Sequence, residues 1–137
     1  MNTIVIDANI LISALIKDGI IRRILANFKI NFLFPDFGLN EIYSCKTEII
    51  RKAKVSEKEF DILLLRLLKY VRLIPFDIIV RYKKEADSII GHIDKEDTAF
   101  IATALAFNAP IWSDDKHFQQ QNKVKVLTTK DIISFIG

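Results

Sequence analysis

Cysteine is almost absent from this chain of 137 residues. Cys45 stands alone, so no intrachain disulfide can form and residence in the cytoplasm is expected. Glycine is scarce at four residues, and no G-x-x-x-x-G-K-[ST] run occurs, which argues against nucleotide triphosphate hydrolysis. The two histidines, His92 and His117, are isolated in sequence and with one cysteine do not suggest a zinc site. No apolar run approaches the roughly 20 residues that a membrane-spanning helix needs. The opening Met1-Asn2-Thr3-Ile4-Val5-Ile6 lacks a basic stretch and stops at Asp7, so a secretory signal is not expected. Repeats, low-complexity tracts and Ser/Pro/Gly linkers are missing too, so the expectation is one domain over residues 1–137.

Half of the residues are hydrophobic, which excludes a disordered chain and fits a packed core. The net charge is +3, and its distribution says more than its size. Between Lys46 and Arg72 lie eight basic residues against Glu48, Glu57, Glu59 and Asp61, an excess of four. A basic stretch of this kind suits a polyanionic partner, with Arg51, Lys52 and Lys54 as candidate phosphate contacts. It is equally the pattern of a solvated helical face with i,i+4 pairs.

Hydrophobic periodicity alternates between strand-like and helix-like segments. Thr3 to Ile6 reads as a buried strand, and Phe32-Leu33-Phe34, Val71 to Ile74, Pro110 to Trp112 and Val124 to Leu127 as further strands. Helical stripes fall between them: Ile10 to Leu15, Ile20 to Phe28, one helix from Leu39 to Ile50, and one opened by the capping box Ser56-Glu57-Lys58-Glu59. Others are expected from Asp77 to about Gly91, from Asp94 to about Asn108, from Lys116 to Gln121 and from Asp131 to Ile136. This order predicts a three-layer α/β/α sandwich with a mainly parallel central sheet.

Acids recur where these segments end. Asp7 directly follows the first strand, where a carboxylate either caps the next helix or binds a ligand at the sheet edge. Glu41 lies in a helix. Asp94 and Asp97 stand three apart, sharing one face of a helix start. Asp114 and Asp115 follow the strand ending at Trp112, and Asp115 can also cap a short helix from Lys116. Carboxylates gathered at one edge repel one another unless a cation sits among them, so a hard divalent metal is expected.

In Val5-Ile6-Asp7-Ala8-Asn9-Ile10-Leu11, in Asp97 to Leu105 and in Ala109-Pro110-Ile111-Trp112-Ser113-Asp114-Asp115-Lys116, the chain resembles the PIN domain, the nuclease module of VapC-type toxins and related RNA-processing enzymes. The resemblance implies an acidic quartet of Asp7, Glu41, Asp97 and Asp115, with Glu48 the alternative to Glu41. It implies Asp94 as an additional metal ligand beside Asp7, Asp97 and Asp115, and Asn9 and Ser113 as polar residues that orient the acids. Asp115 is preferred to Asp114 because its spacing from Ser113 fits the motif. The activity so implied is metal-dependent endoribonuclease cleavage with Mg²⁺ or Mn²⁺, leaving a 5′-phosphate and a 3′-hydroxyl.

Three other classes are compatible with acids at strand ends, one of them a non-catalytic α/β binding module with a degenerate site, which is disfavoured because all four acid positions are filled. A receiver-like module wants an acid pair after the first strand, but Ala8 follows Asp7; an aspartyl-phosphate phosphatase wants D-x-D, but Asn9 holds the second place. Within the nuclease reading, the toxin of a toxin–antitoxin module and a processing enzyme without an antitoxin both remain. The expected partners are RNA, a protein antitoxin and a second copy of the chain, the last from Ile12, Ile16, Ile20 and Ile21 around one short turn. No membrane partner is expected.

Overall fold

The β-branched run at the start of the chain forms the middle of the sheet. In the computed structural model, which describes residues 2–91 and 97–136, β1 (Thr3–Ile6) pairs in parallel with β2 (Asn31–Pro35) on one side and β4 (Ile111–Trp112) on the other. Outside these lie β3 (Val71–Ile74) and β5 (Val126–Leu127), giving the order β3-β2-β1-β4-β5 with every pairing parallel. A strand covered on both faces has no polar side to show, and Ile4, Val5 and Ile6 are all buried.

The register fixes which side chains share a face. Ile4 is opposite Phe32 and Ile6 opposite Trp112, so successive even positions put Phe32, Phe34 and Trp112 on one side of the sheet. Against that side packs α8 (Thr98–Phe107), flanked by α6 (Phe76–Ile79) and α7 (Lys83–Ala86). Phe100 of α8 meets Phe34 at 5.7 Å between ring centroids, and Phe32 meets Trp112 at 5.8 Å. Each such ring is worth roughly 1.5–3 kcal/mol when buried. Helices α1 (Ala8–Ile16), α3 (Leu39–Ser44), α4 (Lys46–Ala53) and α5 (Glu57–Leu68) pack on one another to form the other layer, with α2 (Ile20–Leu25) against α1. Two more helices, α9 (Lys116–Gln119) and α10 (Thr129–Ile136), follow β4 and β5.

The expected three-layer parallel architecture is what forms. Local details differ: the helix expected from Ile20 to Phe28 ends at Leu25, the strand expected from Val124 forms only at Val126–Leu127, and three further segments are divided or shifted. The helix expected from Leu39 to Ile50 divides at Cys45, where φ −98° and ψ 5° leave the helical basin, after Ser44 has turned its hydroxyl back onto the Glu41 carbonyl at 2.7 Å. The helix expected from Asp77 begins one residue earlier, with Pro75 as its N-cap, and then breaks into α6, a 3₁₀ turn at Val80–Tyr82, α7 and a π-turn at Asp87–Gly91. The helix expected from Asp94 starts at Thr98 among the described residues; Asp94 itself lies outside them.

Candidate active site

Strand order places a crevice beside Asp7. The chain leaves β1 toward β2 and β3 on one side, and β4 and β5 fill the other, so β1 and β4 flank the point where the connections diverge. Ligands of open parallel sheets bind outside the C-terminal strand ends at such a point. Asp7 follows β1, and Ser113 and Asp115 follow β4.

Asp7 is 2% exposed and is the N-cap of α1. Its Oδ1 accepts the backbone N–H of Asn9 at 3.4 Å, so the Asn9 contribution seen here is through its backbone. Its Oδ2 accepts the hydroxyl of fully buried Ser113 at 2.7 Å. The Ser113 Oγ in turn accepts the backbone N–H of Asp115 at 2.9 Å. One hydroxyl therefore joins the two strand exits. Burial pushes the Asp7 carboxyl up to about 6 from 3.8; the charge of Asp115 adds to this, and the hydrogen bonds from Ser113 and from the Asn9 and Ala8 backbone oppose it.

Asp115 caps α9 by accepting the His117 backbone N–H on Oδ1 at 2.9 Å. Asp97, 7% exposed, immediately precedes α8 and makes no capping hydrogen bond with its side chain. Between these two carboxylates stands His117, with Nδ1 3.6 Å from Asp115 Oδ1 and 3.7 Å from Asp97 Oδ2. Nothing in the sequence singles out this histidine. It sits in a four-residue helix too short to show a periodicity, and its relation to Asp97 exists only in the folded chain.

Glu41 lines a cleft of about 260 Å³ with Phe37, Gly38, Asn40, Ser44, Ala99 and Phe100, so it faces the first turn of α8 beside Asp97. Gly38 makes that approach possible. A Cβ there would lie 2.8 Å from Phe34 Cζ and 3.2 Å from Phe100 Cζ. Glu48 is turned to surface ion pairs with Arg51 and, at 3.7 Å, Lys52. Asp114 points away from Ser113 and accepts the backbone N–H and hydroxyl of Thr129 at 2.8 and 2.6 Å, tying β4 to α10. Lys54 closes α4 with a left-handed φ of 58°. A cavity of about 750 Å³ lies elsewhere, at the opposite sheet edge between the end of α8 and α10, lined by Ile4, Asn108, Lys125 and Phe135 among others.

The profile of the PIN domain family matches residues 5–133. The chain belongs to the PIN domain family. PIN domains are nucleases, and they generally use divalent metals. The PIN fold is also evident in solved structures. VapBC2 from Rickettsia felis, crystallised with a DNA fragment from its promoter, aligns with a TM-score of 0.70 and 15% identity, covering 92% of this chain and 98% of that one. PAE2754 from Pyrobaculum aerophilum aligns with a TM-score of 0.68 and 11% identity, covering 99% and 89% respectively. At these identities the likeness is one of fold. No curated protein sequence matches the chain.

The donor set of this PIN domain fits a hard cation. Asp7 and Asp97 are buried carboxylates, and the Asp7 acid is raised in part by the charge of Asp115. A cation placed among them would relieve both the burial and the repulsion. Among the described residues, no three Asp, Glu, His or Cys side chains stand close enough to enclose one ion as they are. No described helix is long and apolar enough to cross a membrane.

Proposed function

We propose that this protein is a divalent-metal-dependent endoribonuclease that acts as the toxin of a toxin–antitoxin pair, VapC-like in kind. The observation that carries the reading is the buried Ser113 hydroxyl joining Asp7 to the Asp115 backbone at the sheet's switch point, in a chain of the PIN family. Asp7, Asp97 and Asp115 would hold Mg²⁺ or Mn²⁺, with Glu41 the fourth acid and Asp94 an additional one. The bound ion supplies positive charge against the phosphate and acidifies water. Ser113 fixes one oxygen of Asp7 and the peptide of Asp115, so the Asp7 carboxylate and the Asp115 backbone are already held when substrate arrives.

RNA phosphates would meet Arg51, Lys52 and Lys54. All three are exposed at the C-terminal end of α4. The fold likeness to VapBC2, which binds DNA from its promoter together with its partner, supports an antitoxin for this chain. A homodimer belongs to the same reading. Of the four isoleucines that suggested it, Ile20 is 45% exposed, while Ile12, Ile16 and Ile21 are partly buried against the core. One domain over residues 1–137 fits a single sheet with its helices.

Changing Asp97 to Asn removes a charge at nearly constant shape. The variant should lose Mg²⁺- or Mn²⁺-dependent cleavage of RNA, yet without metal melt no lower than the parent. Added Mn²⁺ should raise the parent's melting temperature more than the variant's. A variant that keeps cleaving and melts lower without metal would make Asp97 a structural helix-start residue and remove it from the site. Inspection of the neighbouring reading frame for a small protein gene separates the toxin from a processing enzyme without an inhibitor.

A further inference from the structure

Among the described residues, His117 is the one nitrogen base beside the acids. Its place is built from two directions. The backbone N–H of His117 is held by Asp115 Oδ1 at 2.9 Å, and the next residue, Phe118, is fully buried. The Phe118 ring meets Phe100 of α8 edge-on at 6.3 Å, which anchors α9 against the helix that Asp97 begins. The imidazole Nδ1 consequently lies 3.7 Å from Asp97 Oδ2 and 3.6 Å from Asp115 Oδ1.

Both separations exceed the roughly 2.7–3.2 Å of an N–H···O hydrogen bond. They fit two donors sharing an ion, because donors each about 2.1 Å from one cation stand no more than about 4.2 Å apart. Resting on the metal-dependent reading above, we propose that His117 is a direct ligand of the cation and that it makes the site one for Mn²⁺ in preference to Mg²⁺. Mg²⁺ takes oxygen donors and keeps its waters, whereas imidazole suits transition ions. His117 Nδ1 is within 4 Å of a carboxylate oxygen of each of Asp97 and Asp115. Binding draws both carboxylates toward the ring, whose Nδ1 is buried on their side while the imidazole as a whole is half exposed.

The test uses the full chain without RNA. Pulsed electron paramagnetic resonance of bound Mn²⁺ reads nitrogen coupling, and calorimetry gives the dissociation constants for Mn²⁺ and Mg²⁺. The parent should show a directly bound nitrogen, and His117→Leu should lose it. The same change should weaken Mn²⁺ by about tenfold or more and Mg²⁺ by less than about threefold. His117→Gln, which keeps a polar side chain, should behave alike, with unchanged circular dichroism showing that both variants fold. Absence of nitrogen coupling in the parent, its survival in His117→Leu, or equal weakening of the two ions would overturn the proposal. An Asp97→Asn arm keeps the two readings apart. If it loses Mn²⁺ while the parent shows no nitrogen, the acids hold the ion and His117 does not. If the parent binds no divalent ion, or Asp97→Asn binds it unchanged, the metal site itself is wrong.

Discussion

The Ser113 hydroxyl donates to Asp7 Oδ2 across 106 positions of sequence and accepts from the peptide of Asp115, so one side chain with no charge sets the spacing of two that have it. Replacing Ser113 with Ala leaves a buried carboxylate oxygen and a backbone N–H without this partner. The expected cost is about 1–3 kcal/mol of stability. Removing a hydrogen bond that lowers the Asp7 acid should also move that acid further up, which NMR titration of its carboxyl carbon would show. An unmoved titration would mean that the bond is not present in solution.

Asp7 itself gives a pH signature. Folding raises this acid from 3.8 to about 6, so the folded chain holds the extra proton. The associated stability is fully present below about pH 3.8, is lost as pH rises through about 6, and stays lost above it. At neutral pH the charged group then costs on the order of 3 kcal/mol in the metal-free protein. Asp7→Asn should therefore melt higher than the parent at pH 7.5 in the absence of metal, with the difference shrinking toward pH 4. A difference that stays constant across that window would exclude ionisation of Asp7 as its source.

Gly38 is the point where α3 comes closest to Phe34 and Phe100. The Cβ of Gly38→Ala would sit 2.8 Å from a ring carbon in a packed core, so either that ring or the start of α3 must shift. Destabilisation of about 1–3 kcal/mol is expected. Glu41, three residues on, would move with the helix. Cleavage should fall by more than the folded fraction does, and denaturant titration alongside single-turnover rates separates the two. Equal losses would place Glu41 outside the chemistry.

Asp114 and Asp115 are adjacent in sequence and opposite in duty. Asp114 holds Thr129, whose hydroxyl also takes the indole N–H of buried Trp112 at 3.0 Å. Asp114→Ala should lower the melting temperature by ~2–5 °C while leaving the Mn²⁺-induced rise intact. Asp115→Ala should remove most of that rise. The reverse pattern would exchange their roles.

The sequence was informative wherever a local pattern and a tertiary role coincide. Asp7 is legible because a β-branched strand that stops on an acid describes both its neighbours and its position at the sheet edge. The Ser56–Glu59 capping box opens α5 as expected, because both of its hydrogen bonds are local. α8 ends at Asn108, as its place after the apolar stripe implied, and the structure adds that Asn108 is left-handed. The break at Cys45 was hidden by apolar residues that keep helical spacing through it. The segmentation between Phe76 and Gly91 was hidden in the same way, because successive 3₁₀ and π turns preserve a roughly helical stripe. His117 was beyond reach, since what makes it notable is its distance to a residue 20 positions earlier. The pairing of Arg51 and Lys52 with Glu48 was open in the sequence as an i,i+3 and i,i+4 pattern.

The strand order also has a consequence for the cell that makes this protein. Asp7 and Asp115 follow neighbouring strands, and the hydroxyl that joins them is Ser113. During synthesis, β1, β2 and β3 can pair as soon as they emerge, but β4 must still be inserted beside β1 before Asp7 meets its partner. In a chain made from its N-terminus, the bond between Asp7 and Ser113 therefore forms later than the pairing of β1, β2 and β3.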